Sequence, residues 1–201
     1  MDQQGVTVQP IQLISGISTF NQVFFDNALA ARDDLVGELN RGWTVGKRLL
    51  QHERSGMASL VSGGADETDS SLADLAKSFL GEVGGKIADP VQRDEVITYQ
   101  MDQSALQLTQ RRVVEESADG ATPGPATSIF KVVSTELQQE HSNLLTRLHG
   151  SRGFGVDESV FTPGEIDMTR EFFFSRAASI YSGSNEIQRN IIAKRVLGLP
   201  D

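Results

Sequence analysis

No cysteine occurs among the 201 residues, so disulfides, thiolate metal sites and a cysteine nucleophile are all excluded. Histidine is scarce. His52, His141 and His149 are the three present, and no two stand at metal-ligand spacing, which argues against a zinc site. Basic residues are outnumbered, with 18 Lys and Arg against 27 Asp and Glu, a formal charge of −9. General nucleic-acid binding draws its affinity from a basic face, so no nucleic-acid partner is expected. No run approaches the roughly 18 apolar residues that a membrane span needs. The first residues also lack the basic-then-apolar pattern of a signal peptide, and a cytoplasmic location is the expectation.

What is present is ordinary for a soluble domain: 38% hydrophobic and 22% charged residues, in a length that suits one sizeable domain or two small ones. Residues 6 to 31 read as extended structure. Val6-Thr7-Val8 alternates, Pro10 argues for an edge or bulge, Ser15-Gly16 looks like a turn, and Phe20 to Phe25 is rich in strand-favouring aromatics. Beyond residue 42 the period changes from two to about 3.6.

A first helix is expected from about Gly42 to Val61, with Gly46, Leu50, Glu53, Met57 and Leu60 on one face. Ser71 to Leu80 forms a short amphipathic helix through Leu72, Leu75, Ala76 and Phe79. Asp89 caps a long helix that has Pro90 at its first position and Ile97, Met101, Ala105 and Leu108 as its apolar stripe. Ala118 to Thr127 reads as a linker. A helix over Ser128 to His149 carries Ile129, Val133, Leu137, Leu144 and Leu148, and helices over Ile166 to Tyr181 and Ser184 to Leu197 follow a loop at Gly150 to Gly164. The glycine-rich run Gly81 to Lys86 lacks P-loop spacing. The expected fold is mainly α, a four-helix-type C-terminal bundle over 42–201 preceded by a short antiparallel β segment over 1–41. That segment is a partial β domain whose few strands leave open edges.

Two places carry chemistry. Glu53 lies on the apolar stripe between Leu50 and Met57, where burying a carboxylate is expensive and raises its pKa toward that of a useful proton acceptor. A structural ion pair with Arg54 or a neighbouring arginine is the competing reading. Near the C-terminus, Ser182-Gly183-Ser184 turns the chain into a helix with Ser184 as N-cap and Glu186 in the first turn. Lys194 and Arg195 fall in its last turn, followed by Gly198 as stop and Pro200 beyond. Such a helix start can meet a ligand oxygen with its backbone N–H groups, although a well-capped terminal helix has the same pattern.

The stretch Ile180-Tyr181-Ser182-Gly183-Ser184-Asn185-Glu186-Ile187-Gln188-Arg189 resembles the C-terminal signature of flavin-dependent acyl-CoA dehydrogenases. Gly42-Trp43, Leu49-Leu50, Glu53-Arg54 and Ser55-Gly56-Met57-Ala58 resemble the first bundle helix of the same family. One branch of the family carries its catalytic glutamate directly after the Ile-Tyr of the signature, and Ser182 stands there in this chain. The other branch, similar to the isovaleryl- and long-chain enzymes, places it directly before the arginine of the first helix, where Glu53 stands.

The resemblance implies FAD as cofactor, an acyl-CoA substrate, Glu53 as the base and Arg54 beside the substrate. It further implies Tyr181 and Gly183 at the thioester pocket, and Ser184 and Glu186 at the flavin. Arg147-Leu148-His149-Gly150-Ser151-Arg152-Gly153 takes the place of a glycine-rich loop that reaches a neighbouring subunit's FAD, with Arg147 and Gly150 as cofactor-binding candidates. A homo- or hetero-oligomer of acyl-CoA dehydrogenase subunits is therefore expected, with an electron-transfer flavoprotein as acceptor by family analogy. The resemblance covers essentially this whole chain but only about the second half of a family member. The expectation divides between a dehydrogenase or its C-terminal portion and a non-catalytic or truncated homologue completing a full-length partner's flavin site.

Overall fold

A computed structural model describes residues 3–50, 72–117 and 127–200 of the chain. The chain forms two compact units, Met1–Glu67 and Thr68–Asp201. In the first, strands β1 (Val6–Ile11) and β2 (Phe20–Phe25) pair antiparallel, with Val6 opposite Phe25 and Ile11 opposite Phe20. Gly16, at a φ of 82°, makes the turn between them that Ser15-Gly16 announces. At the mouth of the hairpin Gly5 has a φ of 83°, and a Cβ there would fall 2.4 Å from the Asp26 carbonyl oxygen, so only glycine lets the strands close. Pro10 sits opposite Asn21, a position tolerated because it lies on an edge strand. Helix α1 follows, described over 42–50.

The second unit is a helical bundle built around one central helix. Its elements are α2 (Leu72–Leu80), the two-residue strands β3 (Glu82–Val83) and β4 (Lys86–Ile87), α3 (Pro90–Ser117), α4 (Thr127–His149), α5 (Pro163–Ser175) and α6 (Asn185–Ile191). A 3-10 turn at Gly150–Phe154 follows α4, another at Arg176–Ser179 follows α5, and a π-helical turn at Ile192–Val196 extends α6. Gly84 and Gly85, both at positive φ, form the two-residue hairpin turn between β3 and β4. The glycine-rich run at 81–86 therefore serves a hairpin.

Local signals place the helix starts. The Asp89 carboxylate accepts from the backbone N–H groups of Val91 and Gln92 at 2.8 and 3.0 Å, with Pro90 next to it. Thr162 and Glu165 form a reciprocal capping box at the start of α5, with Pro163 at its first position. Helix α4 packs against α2, α3, α5, α6 and both 3-10 turns. Toward its C-terminal end Leu144 and Leu148 join Leu72, Ala76, Ile87, Val96 and Tyr99 in the apolar core.

The stripe expected on α3 points elsewhere. Val96 and Tyr99 face the core, while Met101 and Leu108 are 65% and 66% exposed and, with Ile97 and Ala105, border a shallow outer groove. The second half of the stripe expected on α4 is buried, but Ile129, Val133 and Leu137 line an open cleft of about 700 Å³ against α3, rimmed by Asp94, Glu95, Asp102, Glu136 and Glu140. Among the described residues no helix is long and apolar enough to cross a membrane.

Candidate functional site

The C-terminal turn is assembled by α4, the 3-10 turn at Arg176–Ser179 and α6. Backbone N–H groups of Ile180 and Tyr181 both donate to the Ala177 carbonyl, at 2.9 and 3.0 Å, which ends the 3-10 turn. The chain then takes two consecutive left-handed residues, Ser182 at a φ of 56° and Gly183 at 87°. Ser182 is strained there, since a non-glycine side chain disfavours that region. Gly183 has a second requirement, because a Cβ would stand 2.8 Å from the Gln188 side-chain nitrogen. Ser184 returns to extended geometry and its hydroxyl oxygen faces the Ile187 N–H at 3.5 Å, the N-cap expected of it.

Tyr181, Gly183, Ser184 and Glu186 are thus brought together on one short turn, and Tyr181 is 42% exposed. Glu186 folds back on the helix start. Its own backbone N–H, then the Ser184 hydroxyl and the Arg189 guanidinium, hold its carboxyl below the usual carboxylate range. It is an ionised acceptor at neutral pH.

Beneath the turn lies a row of polar side chains on α4 at four-residue steps, which share one helix face. Lys131 donates to the Ala178 carbonyl, and its Nζ stands 4.8 Å from the Tyr181 ring centroid. The Thr135 hydroxyl lies 3.1 Å from the buried Asn185 side-chain oxygen. Gln139 donates to the Ser175 carbonyl at 3.2 Å and to the Ser179 hydroxyl at 3.1 Å. The Asn143 oxygen accepts from Arg176. Glu136, next to this row, pairs with Arg189. Burial pulls the Lys131 ammonium below the ordinary lysine pKa.

The expected loop candidates lie elsewhere. Arg147 is sixteen residues along α4 from Lys131, about 24 Å at 1.5 Å per residue, so one chain does not bring it to the turn. Its guanidinium meets Glu140 and Glu95, the latter at 3.6 Å. Gly150 ends α4 at a φ of 56° with open space around it. Arg152 holds the Glu165 carboxylate with two nitrogens, the second at 2.7 Å. Glu53 and Arg54 lie outside the described residues. No group of His, Asp and Glu suited to a metal ion occurs among the described residues.

Sequence reasoning passed over Lys131, Thr135 and Asn185. The available signal was a lone lysine inside the apolar run Ile129-Phe130-Lys131-Val132-Val133. A charge in such a run needs a partner. The turn suits a flat, partly polar cofactor in three respects: an exposed aromatic face at Tyr181, a position at Gly183 without a side chain, and a hydroxyl at Ser184.

Comparison with known proteins gives a consistent set of likenesses. The family description "Acyl-CoA dehydrogenase, C-terminal domain" matches residues 40–197. Acyl-CoA dehydrogenase IpdE1 of Mycolicibacterium smegmatis is 34% identical over 203 residues, covering 100% of this chain and 47% of that protein. The protein of that name from Mycobacterium tuberculosis is 34% identical over 202 residues, covering 100% of this chain and 49% of its own length. The chain spans about half the length of these curated relatives. Among solved structures, the ChsE4-ChsE5 complex from Mycobacterium tuberculosis superposes with a TM-score of 0.71 at 22% identity, covering 100% of this chain and 51% of that one. The Tcur3481-Tcur3483 steroid ACAD superposes with a TM-score of 0.72 at 22% identity, covering 99% and 50%. At these identities the structural likeness establishes the fold.

Proposed function

This chain belongs to the acyl-CoA dehydrogenase family, and from that premise we propose that it is the C-terminal portion of a flavin-dependent enzyme that desaturates an acyl-CoA thioester between Cα and Cβ. The observation that carries the reading is the Tyr181–Ser184 turn, whose two left-handed residues present an exposed ring and bare backbone beside the capping hydroxyl of Ser184.

In this reading the Glu53 carboxylate takes the α-proton, and Arg54 lies beside the substrate. The electron pair of the broken Cα–H bond becomes the second bond between Cα and Cβ, and the β-hydrogen leaves with its own pair. FAD supplies the acceptor for that hydride when bound. Tyr181 and Gly183 border the thioester, while Ser184 and Glu186 approach the flavin. Glu186, being ionised, can only accept a hydrogen bond there. Arg147 and Gly150 reach the flavin of a neighbouring subunit, which suits the placing of Arg147 about 24 Å along α4 from Lys131. An electron-transfer flavoprotein would serve as the electron acceptor.

Glu53→Gln in an active assembly is the decisive substitution. A general base contributes about 10²- to 10⁴-fold, and single-turnover flavin bleaching with an acyl-CoA is expected to slow by that factor. An unchanged rate would remove Glu53 from the chemistry.

A second reading is favoured by one specific observation: two of the superposed structures, ChsE4-ChsE5 and Tcur3481-Tcur3483, bear the names of two proteins. In that reading the chain pairs with a longer homologue and completes its flavin site. Flavin stoichiometry and solution mass, measured for the chain alone and co-expressed with a full-length homologue, separate the two. Flavin bound to the lone chain favours the first reading, and flavin gained only with the partner favours the second.

A further inference from the structure

Lys131 is a half-buried charge in the bundle. It sits near the N-terminal end of α4, where a cation gains nothing from the helix dipole, among Ile129, Phe130, Val132 and Val133. Its burial costs hydration that no carboxylate repays, since no salt bridge to it is formed among the described residues. Its two partners both belong to the chain entering the turn. One is the Ala178 carbonyl, in the last 3-10 turn before Tyr181, and the other is the face of the Tyr181 ring, 4.8 Å from Nζ.

We propose that Lys131 is the positioning residue of the flavin- and thioester-facing turn: its ammonium clamps Ala178 and Tyr181 to α4 and thereby holds Ser182 and Gly183 in their left-handed conformation. The backbone after Tyr181 has little else to hold it on the inward side. Ile180 and the residues 181–183 are exposed, and the next anchor to α4 is Asn185 on Thr135. With the clamp at 178–181 and the anchor at 185, three residues are suspended between two fixed points. Two of them adopt backbone angles that relax unless the ends are held. Lys131 touches no reacting atom in this scheme. It acts through Tyr181 and the turn, and only the identity of what the turn faces rests on the dehydrogenase reading.

The test uses the full chain first. Lys131→Met keeps the stem and removes the charge, and Lys131→Arg keeps a cation over the ring. The chain has two tyrosines, Tyr99 and Tyr181, so ring-labelled tyrosine NMR resolves each one. Lys131→Met is expected to move the Tyr181 resonance, leave that of the buried Tyr99 in place, and raise amide exchange at residues 180 and 181, whose N–H groups donate to the Ala177 carbonyl, about tenfold. Lys131→Arg is expected to restore exchange to within about threefold. A Tyr181 signal and exchange rates unchanged in Lys131→Met would overturn the proposal. If Lys131→Met does not fold, Tyr181→Leu removes the other half of the clamp and must loosen the same amides. Unchanged exchange there would overturn the proposal equally.

A second arm measures FAD affinity of the assembled protein, which should fall about tenfold in Lys131→Met and recover in Lys131→Arg. A loosened turn with unchanged affinity would sink the positioning role. An unsubstituted assembly that binds no FAD would count against the dehydrogenase reading, while the exchange experiment still decides the clamp.

Discussion

The Thr135 hydroxyl lies 3.1 Å from the side-chain oxygen of Asn185, joining the middle of α4 to the first residue of α6 across fifty positions of sequence. Both residues are buried, so neither polar group has water as a substitute. Thr135→Val keeps the shape and removes a hydroxyl that Asn185 shares with the Lys131 and Val132 carbonyls, at an expected cost of about 1–3 kcal/mol, whereas Thr135→Ser keeps the hydroxyl and most of the stability. Urea denaturation of the full chain checks both.

Gly183 is expected to lose stability on gaining a side chain. Gly183→Ala places a Cβ in a left-handed conformation at a φ of 87° and within 2.8 Å of the Gln188 amide nitrogen. The conformational part alone is worth about 1–2 kcal/mol. A lowered Tm, together with weakened FAD binding in the assembled protein, is the expected result. Gln188→Ala should return only the steric share.

Acid should weaken the α5 entry. Arg152 first, and then the Thr162 backbone N–H, hold the Glu165 carboxyl down to about 2. A carboxyl depressed on folding stabilises above its unfolded pKa, and that contribution fades as pH falls from about 5 toward 2. Arg152→Gln returns Glu165 toward the ordinary carboxylate range, so the variant should start less stable at pH 7 and lose less than the parent as pH falls. Unfolding midpoints measured between pH 7 and pH 3 would reveal the flatter profile.

Core and surface positions on neighbouring helices should separate cleanly. Leu144 is 0% exposed, and Leu144→Ala is expected to lose about 2–5 kcal/mol. Met101→Ala, on the outer face of α3, should change stability by no more than about 0.5 kcal/mol. Equal losses from the two would mean that the face bearing Met101 is covered in solution, and sedimentation would then show association.

That contrast also marks what the letters alone could reveal. The antiparallel hairpin, the Asp89 and Ser184 caps and the turn at 182–184 were legible, because caps and left-handed glycines are decided within a few residues. The direction of the α3 stripe was not. Periodicity identifies Ile97, Met101, Ala105 and Leu108 as one face, yet it carries nothing about which neighbour covers that face, and here Val96 and Tyr99 turn inward instead.

The terminal helix was expected to run unbroken to Leu197, but it widens into a π-helical turn at Ile192 before Gly198 stops it at a φ of 65°. No residue type in that stretch announces such a widening. The polar face of α4 was hidden for a related reason. Lys131, Thr135, Gln139 and Asn143 look like a solvated side until α5 and α6 fold over them, and those partners lie more than thirty residues away.

The row of hydrogen bonds along α4 has a mechanical corollary. Oily surfaces slide over each other with little penalty, but donors and acceptors match only at set spacings, like teeth in a rack. Shifting the C-terminal segment by one 1.5 Å step would disengage the pairs at 131, 135, 139 and 143 together. That segment is therefore held in one register against the central rod, and any slip along it must release all four teeth together.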